Sequence, residues 1–147
     1  THCISSAASD VYKRQVWSVT SYIELARELR DIDRQNLLNV EEDHLVSYVG
    51  ECLEGDRPVI AASDYVKAVP EQLRSAIQAP YHVLGTDGFG RSDTREKLRQ
   101  FFEVNHQFIA YTALVKLYEI GVCEKQALSD FKKEFDIDSD KPNPRLA

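Results

Sequence analysis

Leu84-Gly-Thr-Asp-Gly-Phe-Gly-Arg-Ser-Asp-Thr-Arg-Glu96 decides how this chain is read, because a short apolar strand runs straight into a glycine-punctuated loop and then into a helix start. Open α/β sheets build the rim of a crevice in this way. Gly85, Gly88 and Gly90 let the backbone turn sharply or approach another group closely. Asp93 and Glu96 have the spacing of a capping box for the helix that follows. The spacing G-x-x-G-x-G is not the dinucleotide fingerprint, so the loop is read first as a rigid strand-to-helix connection.

Outward from the loop, short apolar runs alternate with amphipathic stretches. Tyr81-His-Val-Leu84, entered through Pro80, and Val59-Ile-Ala-Ala62, bounded by Arg57-Pro58, read as strands, the latter buried on both faces. Val16-Trp-Ser-Val-Thr20 alternates β-branched and aromatic residues and reads as a third. Strands are therefore expected at about 16–20, 58–62 and 81–85 in a mostly parallel sheet with helices on both faces, an α/β fold.

Six helical stretches complete the pattern. Ser21 and Glu24 cap a helix expected to run to about Arg30, followed by an irregular polar stretch from Asp31 to Asp43. Leu45, Tyr48, Val49, Cys52 and Leu53 fall on one helical face closed by Gly55. A helix capped by Ser63 or Asp64 should break between Val69 and Glu71, because Pro70 lacks a backbone donor. Leu98, Phe101 and Phe102 mark a helix ending near Val104. Asn105 caps a long helix, stopped by Gly121, whose apolar residues circle the axis, so it should be the most buried. The last helix spans about Cys123 to Phe135, ahead of a polar tail from Asp136 to Ala147.

With 147 residues the chain fits one domain. Its 18 basic and 24 acidic residues give a net charge of −6, which argues against nucleic acid and against an anionic membrane surface as partners. Cys3, Cys52 and Cys123 form no C-x-x-C pair, so no disulfide framework or zinc knuckle is expected and a reducing cytoplasm fits best. Thr1 to Gln15 is serine- and alanine-rich without sustained periodicity and reads as a non-native or disordered tail.

Chemistry-bearing clusters are sparse. His2, His44, His82 and His106 stand alone, and only His82 and His106 lie near the glycine loop. Asp136-Ile-Asp-Ser-Asp140 lacks the central glycine and closing glutamate of a calcium loop and reads as a solvated turn. No catalytic, cofactor-binding or metal residue is assigned. The candidate site is the loop itself, Gly85, Asp87, Gly88, Gly90, Arg91 and Ser92, in a structural or interface role.

The strings Trp17-Ser-Val-Thr-Ser21, Ser63-Asp-Tyr65, Val83-Leu-Gly-Thr-Asp-Gly-Phe-Gly-Arg-Ser-Asp93 with Arg95, Leu98, Arg99, Phe102, Glu103 and Val104, then Asp138, Asp140-Lys141 and Asn143-Pro-Arg-Leu-Ala147, occur in an order that resembles the carboxy-terminal end of the homodimeric bacterial pyruvate dehydrogenases. These are transketolase-like, thiamine-diphosphate-dependent decarboxylase components of a multienzyme complex. The resemblance spans Val16 to Ala147. It implies a chain of three α/β domains, of which this is an incomplete third, truncated at its amino-terminal end. It implies oxidative decarboxylation of pyruvate with acetyl transfer to a lipoyl group, using thiamine diphosphate and magnesium held by the other domains and none held here. Implied partners are the other domains of the chain, a second copy in a homodimer, and the lipoyl-bearing acetyltransferase component. Such a fragment is expected to be inactive and marginally stable when expressed alone. The competing reading is a non-catalytic assembly or regulatory binding module of flavodoxin-like type, with a phosphate against the loop amides.

Overall fold

The computed structural model describes residues 15–147; the tail expected at Thr1 to Gln15 lies, apart from Gln15, outside that range, as do His2 and Cys3. The described elements are α1 (Tyr22–Leu38), α2 (Tyr48–Cys52), β1 (Val59–Ala62), α3 (Ala68–Glu71), β2 (Tyr81–Leu84), α4 (Arg95–Phe101), α5 (His106–Glu119) and α6 (Lys125–Glu134), with one turn of 3-10 helix at Arg74–Ala76. The architecture is α/β.

β1 and β2 form a two-stranded parallel sheet in the register Val59↔Tyr81 to Ala62↔Leu84. Paired residues in a parallel ladder share a face, so Val59, Ala61, Tyr81 and Val83 point one way and Ile60, Ala62, His82 and Leu84 the other. On the first face Tyr81 and Val83 join Ala26, Val49, Leu73, Ile77 and Ala79 in the main core, which α1 and α2 cover. α5 packs across β1, and its Lys116 stands close enough to His82 to disfavour the charged imidazole. Helices thus flank both faces of the sheet. Tyr81 anchors its edge: its hydroxyl donates to Pro70 O at 2.9 Å, and its own carbonyl accepts from the Arg74 guanidinium at 3.0 Å. Glu71 holds that guanidinium in a bidentate pair at 2.7 and 2.8 Å.

The strand expected at 16–20 does not form. β1 and β2 pair with each other, no strand flanks this stretch among the described residues, and Val16 is 93% exposed. An alternating pattern without a ladder partner stays irregular. β1 is only partly buried rather than covered on both faces, with Ala62 exposed.

Several helix boundaries also shift. α1 continues through the stretch read as irregular to Leu38, since Asp31 to Leu38 holds no Gly or Pro. Its end is hooked by Asn36, which donates to Leu45 O at 2.9 Å and accepts from Leu45 N at 2.8 Å. That exchange keeps Leu45 extended and delays α2 until Ser47, whose buried hydroxyl accepts from Gly50 N. α3 starts at Ala68, not at Ser63 or Asp64, and continues through Pro70 instead of breaking there. Pro70 occupies the first turn, where a missing donor costs nothing, and is fully buried.

α4 stops at Phe101, short of Val104. Glu103 takes the left-handed conformation (φ 61°) while Val104 N donates to Arg99 O and Glu103 N to Gln100 O, a Schellman closure. α6 is likewise shorter at both ends than read. Ser21 and Asn105 cap α1 and α5 through their side chains, and Gly121 (φ 76°) ends α5. α5, expected to be the most buried helix, has no fully buried residue: it touches α6 and β1, and its remaining apolar sides lie half-exposed.

Candidate functional site

β2 delivers the chain to Gly85, and the loop is fixed from there by the segment that follows β1. A Cβ at Gly85 would lie 2.7 Å from Tyr65 O and 2.9 Å from Lys67 Cγ, closer than any side chain tolerates. Thr86 N donates to Tyr65 O at 3.0 Å and its hydroxyl to Asp64 O at 2.6 Å. Asp87 Oδ1 accepts from Lys67 N at 2.9 Å. These contacts bring Gly85 to Asp87 and 64–67 together as one unit.

The carboxy-terminal tail holds the next turn. Gly88 adopts φ +118°, and a Cβ there would stand 2.8 Å from Pro144 O. The tail is secured by Lys141, whose ammonium donates to Gln100 O at 2.8 Å and Phe101 O at 2.7 Å and pairs with Glu103 at 3.4 Å. It therefore neutralises the negative end of α4 while lying near the rings of Phe101 and Phe108. A cleft of about 350 Å³ remains between loop and tail, with Lys67, Asp87, Glu103, Lys141 and Arg145 on its walls.

Beyond Gly88 the loop opens to solvent. Phe89 is 82% exposed, a Cβ on Gly90 would touch nothing, and Ser92 makes no hydrogen bond among the described residues. Arg91 lies with its guanidinium 4.1 Å from the Phe101 ring centroid, which itself meets Phe102 edge-on. Thr94, not Asp93, caps α4 by accepting from Lys97 N; Asp93 turns back to accept from Thr94 N at 2.7 Å. The N-cap thus lies one residue beyond Asp93, and the capping box read from the sequence does not form, because Lys97 stands at the position a Glu or Gln would need. A second cleft of about 440 Å³ lies between this outer limb, Asp64 and α4.

Of the six residues read as the site, Gly85, Asp87, Gly88 and Arg91 are thus engaged by the chain itself, and Gly90 and Ser92 are not. Lys67, Glu103 and Lys141 went unread as partners. A charged residue in the quoted tail string was the one available hint, and its target lies 41 positions away. Neither His82 nor His106 hydrogen-bonds the loop among the described residues. Burial and the nearby Lys116, Lys67 and Arg74 push the His82 pKa down, with Glu71 opposing, which favours the neutral imidazole. Asp138 accepts from Asp140 N at 2.8 Å in a local turn. Among the described residues no three His, Cys, Asp or Glu side chains converge as a metal site.

The sheet of this α/β fold thus ends, at β2, in a glycine loop pinned by its own chain at 64–67 and at the carboxy-terminal tail. Residues 5–105 match the family described as the transketolase-like TK C-terminal domain, and the chain belongs to that family. Pyruvate dehydrogenase E1 components are similar to it: 44% identical over 145 residues in Cupriavidus necator, 46% over 133 in Escherichia coli and 45% over 131 in Pseudomonas aeruginosa. These matches cover 94%, 90% and 88% of this chain. The chain spans only 15–16% of the length of those relatives.

Proposed function

We propose that this chain is the carboxy-terminal domain of a pyruvate dehydrogenase, an enzyme that oxidatively decarboxylates pyruvate and passes the acetyl group to a lipoyl arm, and that the domain serves as architecture and interface. The observation that carries the reading is identity of 44–46% over 90% or more of the chain to two E1 components. The loop geometry supports the architectural role, since Gly85, Asp87 and Gly88 are spent on contacts with 64–67 and the tail. Thr86 N–H is already committed to Tyr65 O, which leaves the loop poorly suited to cradle a phosphate on its amides.

Thiamine diphosphate with magnesium belongs to this reading as the parent enzyme's cofactor, held by its other domains; among the described residues no group of three or more His, Cys, Asp or Glu side chains stands together to hold a metal. No chemical step is assigned to this chain. The other domains, a second copy in a homodimer and a lipoyl-bearing acetyltransferase are the proposed partners, in the cytoplasm. No helix among the described residues is long and apolar enough to cross a membrane.

Titration calorimetry of the 147-residue chain with thiamine diphosphate and magnesium tests the reading; the expected result is no saturable binding, and micromolar binding would overturn it. In a full-length enzyme carrying this sequence, Arg91→Ala should weaken assembly or stability more than turnover per bound cofactor. Loss of turnover in an intact dimer would place the loop in the catalytic machinery. Expressed alone, the chain should melt at low temperature or self-associate, and deleting 1–15 should change this little; thermal unfolding and sedimentation of both forms decide.

A further inference from the structure

The cleft of about 440 Å³ beside the outer limb of the loop has a composition that its structural role does not explain. Its floor is apolar, made by Leu98, Phe102 and the buried Val104, and its rim carries Arg91, Arg95 and Arg99. In a chain of net charge −6, three guanidiniums around one opening are a local reversal of sign. Arg99 is loosely matched by Asp64 at 3.7 Å, both side chains being well exposed. Asp93, the other carboxylate on the rim, is engaged by Thr94 N and, at 3.9 Å, by Lys97. Arg91 and Arg95 have no carboxylate within ion-pair distance among the described residues.

Arg91 is also held in place. Its guanidinium rests on the Phe101 ring, and Phe101 is fixed in turn by Phe102 and by Lys141 at its carbonyl. Stacking immobilises the plane of an arginine yet leaves its edge donors free, so less entropy is lost when an anion is bound. Fixed cations above an apolar floor, in a cleft within the usual size range for small ligands, select for a charged head on an apolar body.

We propose that this cleft binds a small anion whose carboxylate or phosphate head pairs with Arg91 and Arg95 while its apolar body lies on Leu98, Phe102 and Val104. The inference does not depend on which enzyme the domain belongs to. Four probes separate its parts: phenyl phosphate and benzoate share a body and differ in head, inorganic phosphate is a head alone, and benzyl alcohol a body alone. Amide chemical-shift titrations of the 147-residue chain should show saturable shifts confined to residues 86–104 for phenyl phosphate or benzoate, with a dissociation constant on the order of millimolar. The tighter of the two identifies the head group. Head alone and body alone should each bind about tenfold more weakly, and Arg95→Ala should cost a similar factor, as loss of one charge-assisted contact implies. Arg57→Ala, in the turn before β1, should change nothing. Phenylglyoxal labelling of Arg91 and Arg95, read by mass spectrometry, should be slowed by the better probe in this chain or in any longer polypeptide that carries it. Absence of both saturation and protection, equal binding by inorganic phosphate, or indifference to Arg95→Ala would overturn the proposal. So would tighter binding of hexaglutamate to the same residues, which would make the cleft a docking surface for an acidic peptide.

Discussion

Residues 59–104 and the α5–α6 pair are held together by different means. In the first region the backbone is pinned at close range: Gly85 passes against Tyr65 and Lys67, Thr86 and the Asp87 carboxylate bond across to 64–67, and Leu73, Ile77, Ala79, Tyr81, Val83 and Leu84 are buried. The helical pair contains no fully buried residue and is joined by a ring contact, Tyr111 to Phe131 at 6.1 Å, with Phe131 resting in turn on Phe135 at the end of its own helix at 4.4 Å. Pinning fixes a backbone within tenths of an ångström, whereas ring stacking fixes only a neighbourhood. The apolar sides that α5 leaves half-covered are what a helix built for further contacts would carry, and the loop region is what a rigid frame would carry.

The sharpest way to break this contrast is truncation on each side of it. Leu73→Ala, at a site 2% exposed, should cost about 3 kcal/mol, while Phe131→Ala should cost about half as much because its ring is partly solvated already. Denaturant unfolding measures both; equal costs would erase the distinction. Next come the glycines. Gly85→Ala and Gly88→Ala should each lose about 2 kcal/mol through overlap with Tyr65 O and Pro144 O, and Gly90→Ala, in open space, should be neutral within about 0.5 kcal/mol. Lys141→Ala should lose about 1 kcal/mol by uncapping α4 and freeing the tail, with faster amide exchange at residues 141–147 as its signature.

The smallest effect is a pH dependence. Both His82 and Glu71 have folded-state pKa values below their ordinary ones, His82 chiefly through burial and Glu71 chiefly through its hydrogen bonds with Arg74. In each case the unfolded chain binds the proton more readily, so stability is fully present above the ordinary pKa and declines as pH falls through the folded value. The His82 contribution should fade below about pH 6.5 and that of Glu71 below about pH 4.5. His82→Gln should flatten the upper step alone in a stability-versus-pH series.

Legibility followed the range of the interactions. β1, β2, the caps at Ser21 and Asn105 and the stop at Gly121 were readable because their causes lie within a few residues. Val16 to Thr20 misled because alternation reports a wish to pair, not the presence of a partner. The end of α1 was missed because the Asn36 hook reaches nine positions ahead, and α4 was read too long because a left-handed Glu103 has no compositional signature. At the site, the need for glycine at 85 and 88 was visible, yet the groups that impose it were not: Lys67 and Asp87 are 20 positions apart, and Lys141 and Gln100 are 41. The arginine cleft escaped notice because Arg91 sits in a loop and only Arg95 and Arg99 share a helical face.

The Arg74 bracket over Tyr81 has a consequence for how this sheet can grow. A guanidinium stands where an incoming strand would have to bond, on the Tyr81 carbonyl at the outer edge of β2. β1, by contrast, spends Val59, Ala61 and Ser63 on β2 and turns the amides and carbonyls of Ile60 and Ala62 the other way. Among the described residues the sheet therefore has one margin sealed at Tyr81 and one receptive margin at β1. Strands can be added to it in a single direction, and two such molecules meeting through β1 would each present a sealed side outward. Sheet addition would end at the pair rather than run on into a fibre.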